Sequence, residues 1–349
     1  MALDSNQYPT LIDALKMKRP DGGTLKVVET LMQRNPILKD APVMEGNQDT
    51  GHVFGGQSAL PSVSWVRINQ GTPPSKGTHD QITETCGRLK GRSVLDEELA
   101  RISGGPAYRL KNDRSFMSSM SNTVAEALFF ASTDVTPEQI LGLTPRFDAL
   151  SGDVNSENVI AYSASGGGGI SGGTASGDQY SIWFVTWGED TAYLIYPKNT
   201  QAGIQIRDMG LEYEDDGTDT NSQFLAYRTD FTWRTGLCIE DWRYHARICN
   251  IDPEVLASEF DPAGDGSVPP TQWLIHAMIE AYNRIRDFDT GNTVIYCNRV
   301  VLTALDRQIV QKGNVWFPPG EWHGRPVTTF RGIPIVPCDA LKTAETIVT

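Results

Sequence analysis

The chain has 349 residues, of which 39% are hydrophobic and 9% aromatic, and it carries a formal charge of -13. That length and apolar content suit a globular protein with a real core and room for two modest domains. The acidic balance excludes a surface that wraps nucleic acid through clustered Lys and Arg, and no run of basic residues occurs.

The first residues, MALDSNQYPTLIDALK, are acidic and polar where a signal peptide needs basic residues followed by an apolar stretch. No segment has the composition of a membrane span, so a soluble protein without a signal peptide is expected. The five cysteines (Cys86, Cys238, Cys249, Cys297, Cys338) are odd in number and include no C-x-x-C pair. They read as free thiols of a reducing compartment, with neither a disulfide framework nor a zinc site.

Between residues 8 and 34, LIDALKM and TLKVVETLM predict two short helices separated by the breaker KRPDGG. Polar, irregular chain then leads to SVSWVRINQGTPPSKGTHDQITETCGRL, from Ser62 to Leu89, which reads as two extended arms with a tip at Gly71–Gly77. Val63 and Trp65 share one face and Val66 and Ile68 the other, so a bulge or strong twist is expected between Trp65 and Val66. The return arm is polar and rich in Thr. Arms of about fifteen residues would reach roughly 50 Å. An isolated two-stranded hairpin is marginal in water, so this one needs a partner surface.

Ser93 followed by Asp96 predicts a helix N-terminus, with Leu95, Leu99 and Ile102 at helical spacing. Gly104, Gly105 and Pro106 end that helix. A second pattern from Ala107 places Phe116, Met117, Met120, Val124, Ala127, Leu128 and Ala131 on one face; roughly 25 residues give a rod of about 37 Å. That stripe reads as core. Further on, VTPEQILGL predicts a short helix, and FDALS, NVIAYSAS, YSIWFVTW, TAYLIYP and GIQIRDMGLEY predict strands. FLAYRTDFTWRTGLCIEDWRYHARICNI reads as one very long β segment. Its Arg228, Arg234, Arg243 and Arg247 alternate with Phe231, Trp233, Trp242 and Tyr244, but Asp230, Glu240 and Asp241 lie among them, which favours paired charges over base stacking. The C-terminal part alternates helix and strand. There Trp273, Leu274, Ala277, Met278, Ala281 and Ile285 form one buried face, and Asn298 caps a helix whose Val301, Leu302, Leu305 and Ile309 face inward.

Three local patterns resemble sites and lack the context for one. Within SGGGGISGGTASG, Gly169-Ile170-Ser171-Gly172-Gly173 fits G-x-S-x-G, and Gly167, Gly169 and Gly172 fit G-x-G-x-x-G, yet neither has an adjoining strand and helix. From Asp261, DPAGDGSVPPTQ has Ala263 and Gln272 where a calcium loop needs oxygen ligands. The five histidines (His52, His79, His245, His276, His323) never fall at metal-ligand spacing. No catalytic residue, cofactor or metal is predicted. Glu212, Glu214, Asp215, Asp216 and Asp219 read as a solvated hairpin tip.

The order of these elements resembles the major capsid proteins of tailed bacteriophages with the Hong Kong 97-like α+β fold, within which the short-tailed phage group is closer. The resemblance covers nearly the whole chain. It is carried by TLIDALKMKRPDGGTLKVVETLMQRNPILKDAPV, the Trp65 hairpin, the region from SVLDEELARI to VAEALFFA, and TTFRGIPIVPCDAL. It implies an N-terminal arm at 1–49, an extended loop at 50–92, and a peripheral domain at 93–135 and about 205–250 holding the spine helix and long β segment. An axial domain follows at about 136–204 and 251–349.

In such shells the extended loop lies across an adjacent subunit, so Val63, Trp65, Val66, Arg67, Ile68, Lys76 and Ile82 are the implied intersubunit contacts. Copies of the chain would form hexamers and pentamers closing into an icosahedral head around double-stranded DNA. Scaffolding, portal and decoration proteins would be partners, and the virion shell, assembled in the host cytoplasm, the location. No membrane is involved. Lys76 and Lys90 lie where some members cross-link; noncovalent lapping is the expectation here. The chain starts almost directly with its arm, implying a separate scaffolding protein or earlier processing. Alternatives are an encapsulin-like compartment, a serine hydrolase using Ser171, and a carbohydrate-binding decoration protein.

Overall fold

The computed structural model describes residues 8–9, 35–103, 105–162, 179–215, 223–252, 270–311, 319–322, 325–341 and 345–348. Its elements run α1 (Ile37–Asp40), β1 (Val43–Glu45), β2 (Gly51–Ala59), β3 (Thr78–Thr85), β4 (Gly87–Asp96), α2 (Glu97–Ser103) and α3 (Pro106–Phe130). There follow β5 (Val159–Ala161), β6 (Tyr180–Trp187), β7 (Ala192–Tyr196), β8 (Ile204–Asp215), β9 (Gln223–Ile239) and β10 (Ala246–Ile251). The chain continues with α4 (Pro270–Arg284), β11 (Asn292–Cys297), α5 (Arg299–Gln311), β12 (Pro319–Trp322), β13 (Arg325–Phe330) and β14 (Ile333–Pro337).

Every residue of β6 is buried, because this strand lies inside a seven-stranded mixed sheet ordered β12-β13-β14-β11-β6-β10-β5. A strand covered on both faces has no polar side to show, which is why YSIWFVTW reads as an unbroken apolar run. Its side chains alternate between two cores. Trp183, Val185 and Trp187 join Val294 and Tyr296 of β11 with Val124, Leu128 and Phe129 of α3. Ile182 and Phe184 join Ile295 and Cys297 with Leu274, Met278 and Ala281 of α4 and Val301 and Leu305 of α5. The inward faces expected for α4 and α5 are therefore present; Trp273 and Ile309 fall outside the described side chains. Asn298 Oδ1 accepts from Val300 N–H at 3.1 Å, the expected cap.

The second sheet is built around β9, seventeen residues long. β4 pairs with one edge of its first two-thirds, β8 with the other edge, and β7 pairs with its last residues, with β1 parallel to β7 beyond. The long β segment expected from the sequence is divided: after Ile239 the chain makes a 3-10 turn at Trp242–Tyr244, held by Asp241 Oδ1 accepting from Arg243 N–H at 3.0 Å, and β10 enters the other sheet. α3 lies across one face of this sheet, with the Phe116 and Phe231 rings stacked 5.6 Å apart. Gly91 leaves room for that helix, since a Cβ there would stand 3.3 Å from Phe116.

Several local expectations are corrected. Ser93 is not a cap: β4 continues through Asp96, with Val94 and Leu95 paired to Arg228 and Tyr227. The cap is Asp96, whose Oδ1 accepts from the N–H groups of Glu98 and Leu99 at 2.7 and 3.2 Å, and Ile102 is exposed. VTPEQILGL forms turns in place of a helix, because its donors finish α3: Gly142 N–H donates to Ala131 O and Leu143 N–H to Leu128 O. Gly142 is required there, as a Cβ would lie 2.7 Å from Ala127 O. FDALS is irregular chain after a 3-10 turn at Thr144–Arg146. The helices expected before Arg34, the Ser171 glycine loop, and the calcium-like stretch from Asp261 to Pro269 lie outside the described residues.

Three of the four arginines expected to be charge-paired are so: Arg228 with Glu212 at 3.0 Å, Arg243 with Asp241 at 2.8 Å, and Arg247 with Glu345 at 2.8 Å. Arg247 is the most deeply buried. Its Nη1 donates to Phe147 O at 2.6 Å, its Nε to Ser181 Oγ at 3.3 Å, and its guanidinium lies 5.1 Å from the Trp183 ring centre. Asn250 grips the same C-terminal stretch, exchanging two 2.8 Å hydrogen bonds with the backbone of Val348.

His245 is fully buried beside β6, where its Nδ1 accepts from Thr186 N–H at 3.3 Å. Burial holds its pKa down to about 4, with the Arg146 charge acting in the same direction and Asp241 against it. Below pH 6.5 the unfolded chain takes up a proton that the folded chain refuses, so stability falls with pH from there to about 4. The expected slope is about 1.4 kcal/mol per pH unit, roughly 3 kcal/mol in all. Denaturation measured from pH 7.5 to 4.5 should show it. His245→Asn, which keeps an acceptor for Thr186 and cannot titrate, should remove that component; an unchanged profile would contradict it.

Candidate assembly surface

Among the described residues β2 and β3 pair only with each other, from Gly51 opposite Thr85 to Ala59 opposite Thr78, with an irregularity between Gln57 and Ala59. Nine residues of strand span about 30 Å. Beyond them, Leu60–Gly77 is extended chain outside any ladder. It reverses at Arg67–Gln70, where Gln70 N–H donates to Arg67 O at 3.1 Å and Asn69 takes the left-handed conformation at φ 66°. The turn therefore precedes the Gly71–Gly77 tip expected from its prolines. No bulge exists between Trp65 and Val66, because neither is in a strand. The loop holds its width through Ser75 Oγ donating to Ser62 O at 2.7 Å.

All seven sequence-derived contact residues are exposed. Val63 is 92%, Trp65 104%, Ile68 94%, Val66 46% and Ile82 42% accessible, and Arg67 and Lys76 are open to solvent as well. Trp65, more accessible than in its extended reference, buries no surface against the described residues. Fully burying such side chains contributes about 1.5–3 kcal/mol each for the aliphatic members and more for Trp. Large exposed apolar groups gathered on one projection mark an interaction surface.

The base of the ribbon is fixed as firmly as the tip is free. Glu84, on β3, is buried and meets Arg146 in a two-pronged ion pair, at 2.5 Å to Nη1 and 2.7 Å to Nη2. Arg146 spends its remaining donors on the carbonyls of Gly142, Leu141 and Leu237 at 3.2–3.3 Å. The ribbon therefore leaves the body along a direction set by the last turn of one segment and the end of β9. Asn47 clasps Val53 with hydrogen bonds of 2.6 and 2.8 Å, and Tyr193 OH donates to Glu240 at 2.7 Å beside His52. At Gly51 a Cβ would fall 2.0 Å from Glu84 O, so the two strands can approach there only with glycine. Sequence reasoning missed the Glu84–Arg146 pair: its members are 62 residues apart, and nothing near either signals the other.

The thiols are withdrawn from this surface. Burial pushes Cys86, Cys249 and Cys338 up to about 11 and Cys238 up to about 12, and raises Cys297 further. No group of His, Cys, Asp and Glu among the described residues is placed to hold a metal ion.

The family model for Major capsid protein GP7 matches residues 19–349. A chain from the structure of bacteriophage Epsilon15 superposes with a TM-score of 0.74 at 30% identity, covering 100% of both chains. Weaker likenesses include a capsid chain of a native GTA particle, TM-score 0.44 at 10% identity over 70% of this chain and 100% of the other. Another is the holo-SrpI encapsulin complex of Synechococcus elongatus, TM-score 0.44 at 8% identity over 69% and 95%. No curated protein sequence matched. A shared family across almost the entire length, and a full-length structural counterpart from a phage, place the α+β architecture above among Hong Kong 97-like folds: the chain belongs to the major capsid protein GP7 family of bacteriophages.

Proposed function

We propose that this subunit is finished only by overlap with its neighbours, its β2–β3 ribbon lying across an adjacent copy and burying Val63, Trp65, Val66 and Ile68 there. The observation that carries this reading is the fully exposed apolar tip on a rigidly anchored ribbon. Arg67 and Lys76 would flank the buried strip, with Ile82 on the shaft. Copies joined this way form hexamers and pentamers that close into an icosahedral head enclosing double-stranded DNA. The role is structural, without catalysis or cofactor.

The five-stranded sheet with α3 serves as the peripheral domain and the seven-stranded sheet with α4 and α5 as the axial one. Scaffolding and portal proteins are the expected partners, and noncovalent lapping holds the shell. With 43 acidic against 30 basic residues, like-charged copies repel, but screening limits that repulsion to about 8 Å at physiological salt. Permanent contacts of more than about 2,000 Å² exceed it. An acidic wall also leaves packaged DNA free to move. Among the described residues no helix is long and apolar enough to cross a membrane.

The test is negative-stain microscopy and sedimentation of the purified chain. Capsomers, shells or tubes are expected; a monomer at every protein and salt concentration would sink the proposal.

A further inference from the structure

The face of the five-stranded sheet turned away from α3 carries a basic patch in an acidic protein. Along β4 the exposed residues are Arg88, Lys90 and Arg92, alternating with Leu89, Gly91 and Ser93 on the helix side. Across the ladder Arg88 stands opposite Arg234, Lys90 opposite Thr232, and Arg92 opposite Asp230. On the other side of β9, Arg207 also stands opposite Asp230. That carboxylate is already shared by Arg92 and Arg228, each at 3.4 Å. Among the described residues no carboxylate lies within ion-pair distance of Arg88, Lys90, Arg207 or Arg234, so Arg234 departs from the charge pairing expected for its segment. Like charges directly opposite each other, as Arg88 and Arg234 are, destabilise a ladder. The isolated subunit thus holds four uncompensated cations on a flat face three strands, or about 10 Å, wide.

A second surface has the opposite surplus. The turn between β6 and β7 presents Glu189 and Asp190, and the turn before β11 presents Asp287 and Asp289, all four exposed. The two turns are neighbours because β6 pairs with β11, with Trp187 opposite Asn292. A Cβ on Gly188 would stand 3.2 Å from Thr290 O, so the chains touch there. The cations of this corner are already committed: Arg243 and Arg286 both engage Asp241, at 2.8 and 3.4 Å. Among the described residues Glu189, Asp190, Asp287 and Asp289 have no ion-pair partner. Nor can this corner serve its own basic face. Ala192 stands opposite Ile239, which is five residues along β9 from Arg234, about 16 Å, and the acidic turn lies beyond it.

We infer that the face bearing Arg88, Lys90, Arg207 and Arg234 receives the acidic corner of Glu189, Asp190, Asp287 and Asp289 from a second copy of this chain. The fit is of a knob two adjacent turns wide against a face three strands wide, with four charges of each sign left over on one subunit. A phosphate polymer is the poorer occupant, since it meets a chain of charge -13 around that face. Because the two patches differ, each copy can give its corner to the next and its face to the one before, the arrangement that closes a ring. This rests on the self-assembly reading and adds an electrostatic contact to the apolar one made by the ribbon. Complementary charge at such sites governs register and encounter more than total affinity, and salt weakens it.

The experiment uses full-length protein. Arg88→Glu with Lys90→Glu should raise the concentration needed for assembly about tenfold or more in about 0.1 M salt. The melting temperature should not change, because both side chains are exposed and a carboxylate in place of Arg88 lies opposite Arg234. Glu189→Lys with Asp190→Lys should weaken assembly to the same degree. All four substitutions in one chain should restore it. Normal assembly of either charge-reversed pair overturns the inference while leaving the shell function intact. Loss without restoration overturns it too, and if double-stranded DNA binding falls with the Arg88 and Lys90 pair alone, the face serves phosphate instead. Failure of the unaltered chain to assemble removes both.

Discussion

Arg247→Met is expected to lower folding stability by about 3–5 kcal/mol, the largest effect of any single substitution considered, because it strands the buried carboxylate of Glu345. The reasoning is one of geometry and dielectric. Arg247 sits in the central layer between the sheets with each of its three nitrogens engaged, to Glu345, Ser181 and Phe147 O. Glu345 still accepts from Ser181 Oγ when the guanidinium is gone, but it loses its counter-ion. Removing one ion of a desolvated pair leaves a buried charge without its counter-ion, whereas removing both deletes the penalty along with the attraction. Arg247→Met combined with Glu345→Leu should therefore recover most of the loss. Urea denaturation of the two single variants and the double one measures this directly. If the double variant is as unstable as the sum of the singles, the pair is not acting as a unit.

Deletion of Leu60–Gly77, with a short glycine turn joining Ala59 to Thr78, should leave a subunit of normal melting temperature that no longer assembles. Those residues contribute no ladder hydrogen bonds and bury no large apolar side chain in their own chain, so their loss costs the monomer little. What would disappear, on the proposed reading, is the apolar strip against the neighbour, several side chains at about 1.5–3 kcal/mol each at every subunit contact. Sedimentation and microscopy read the outcome, and intact shells from the shortened chain would refute the role given to the tip. A broader cut from Ser62 to Leu89 would be a poor test. It removes Glu84 from Arg146 and the start of β4 from β9, and so damages the body itself.

The sequence revealed most where a single physical demand acts on a whole element. β6 and β7 were legible because burial acts along the whole strand, and α4 and the 25-residue α3 because it acts on one continuous face. The exposure of Trp65 was legible for the complementary reason: no local pattern offered a place to bury it. Boundaries failed where a distant partner decides. Asp96 displaced Ser93 as a cap because β9 holds Val94 and Leu95 in a strand. Residues 136–143 gave up a helix because the end of α3 takes their donors. The turn at Trp242–Tyr244 was hidden by aromatic and charged residues that continue the alternation through it. Nor did spacing along the chain disclose Glu84 with Arg146, since a strand and a 3-10 turn 62 residues apart meet only in the folded chain.

The withdrawn sulfur atoms bear on the life of a particle outside a cell. Nucleophilic attack and air oxidation both proceed through thiolate, and at neutral pH a thiol with a pKa near 11 or 12 is almost entirely protonated. In a shell made of many such subunits, buried and protonated thiols disfavour stray disulfides between copies.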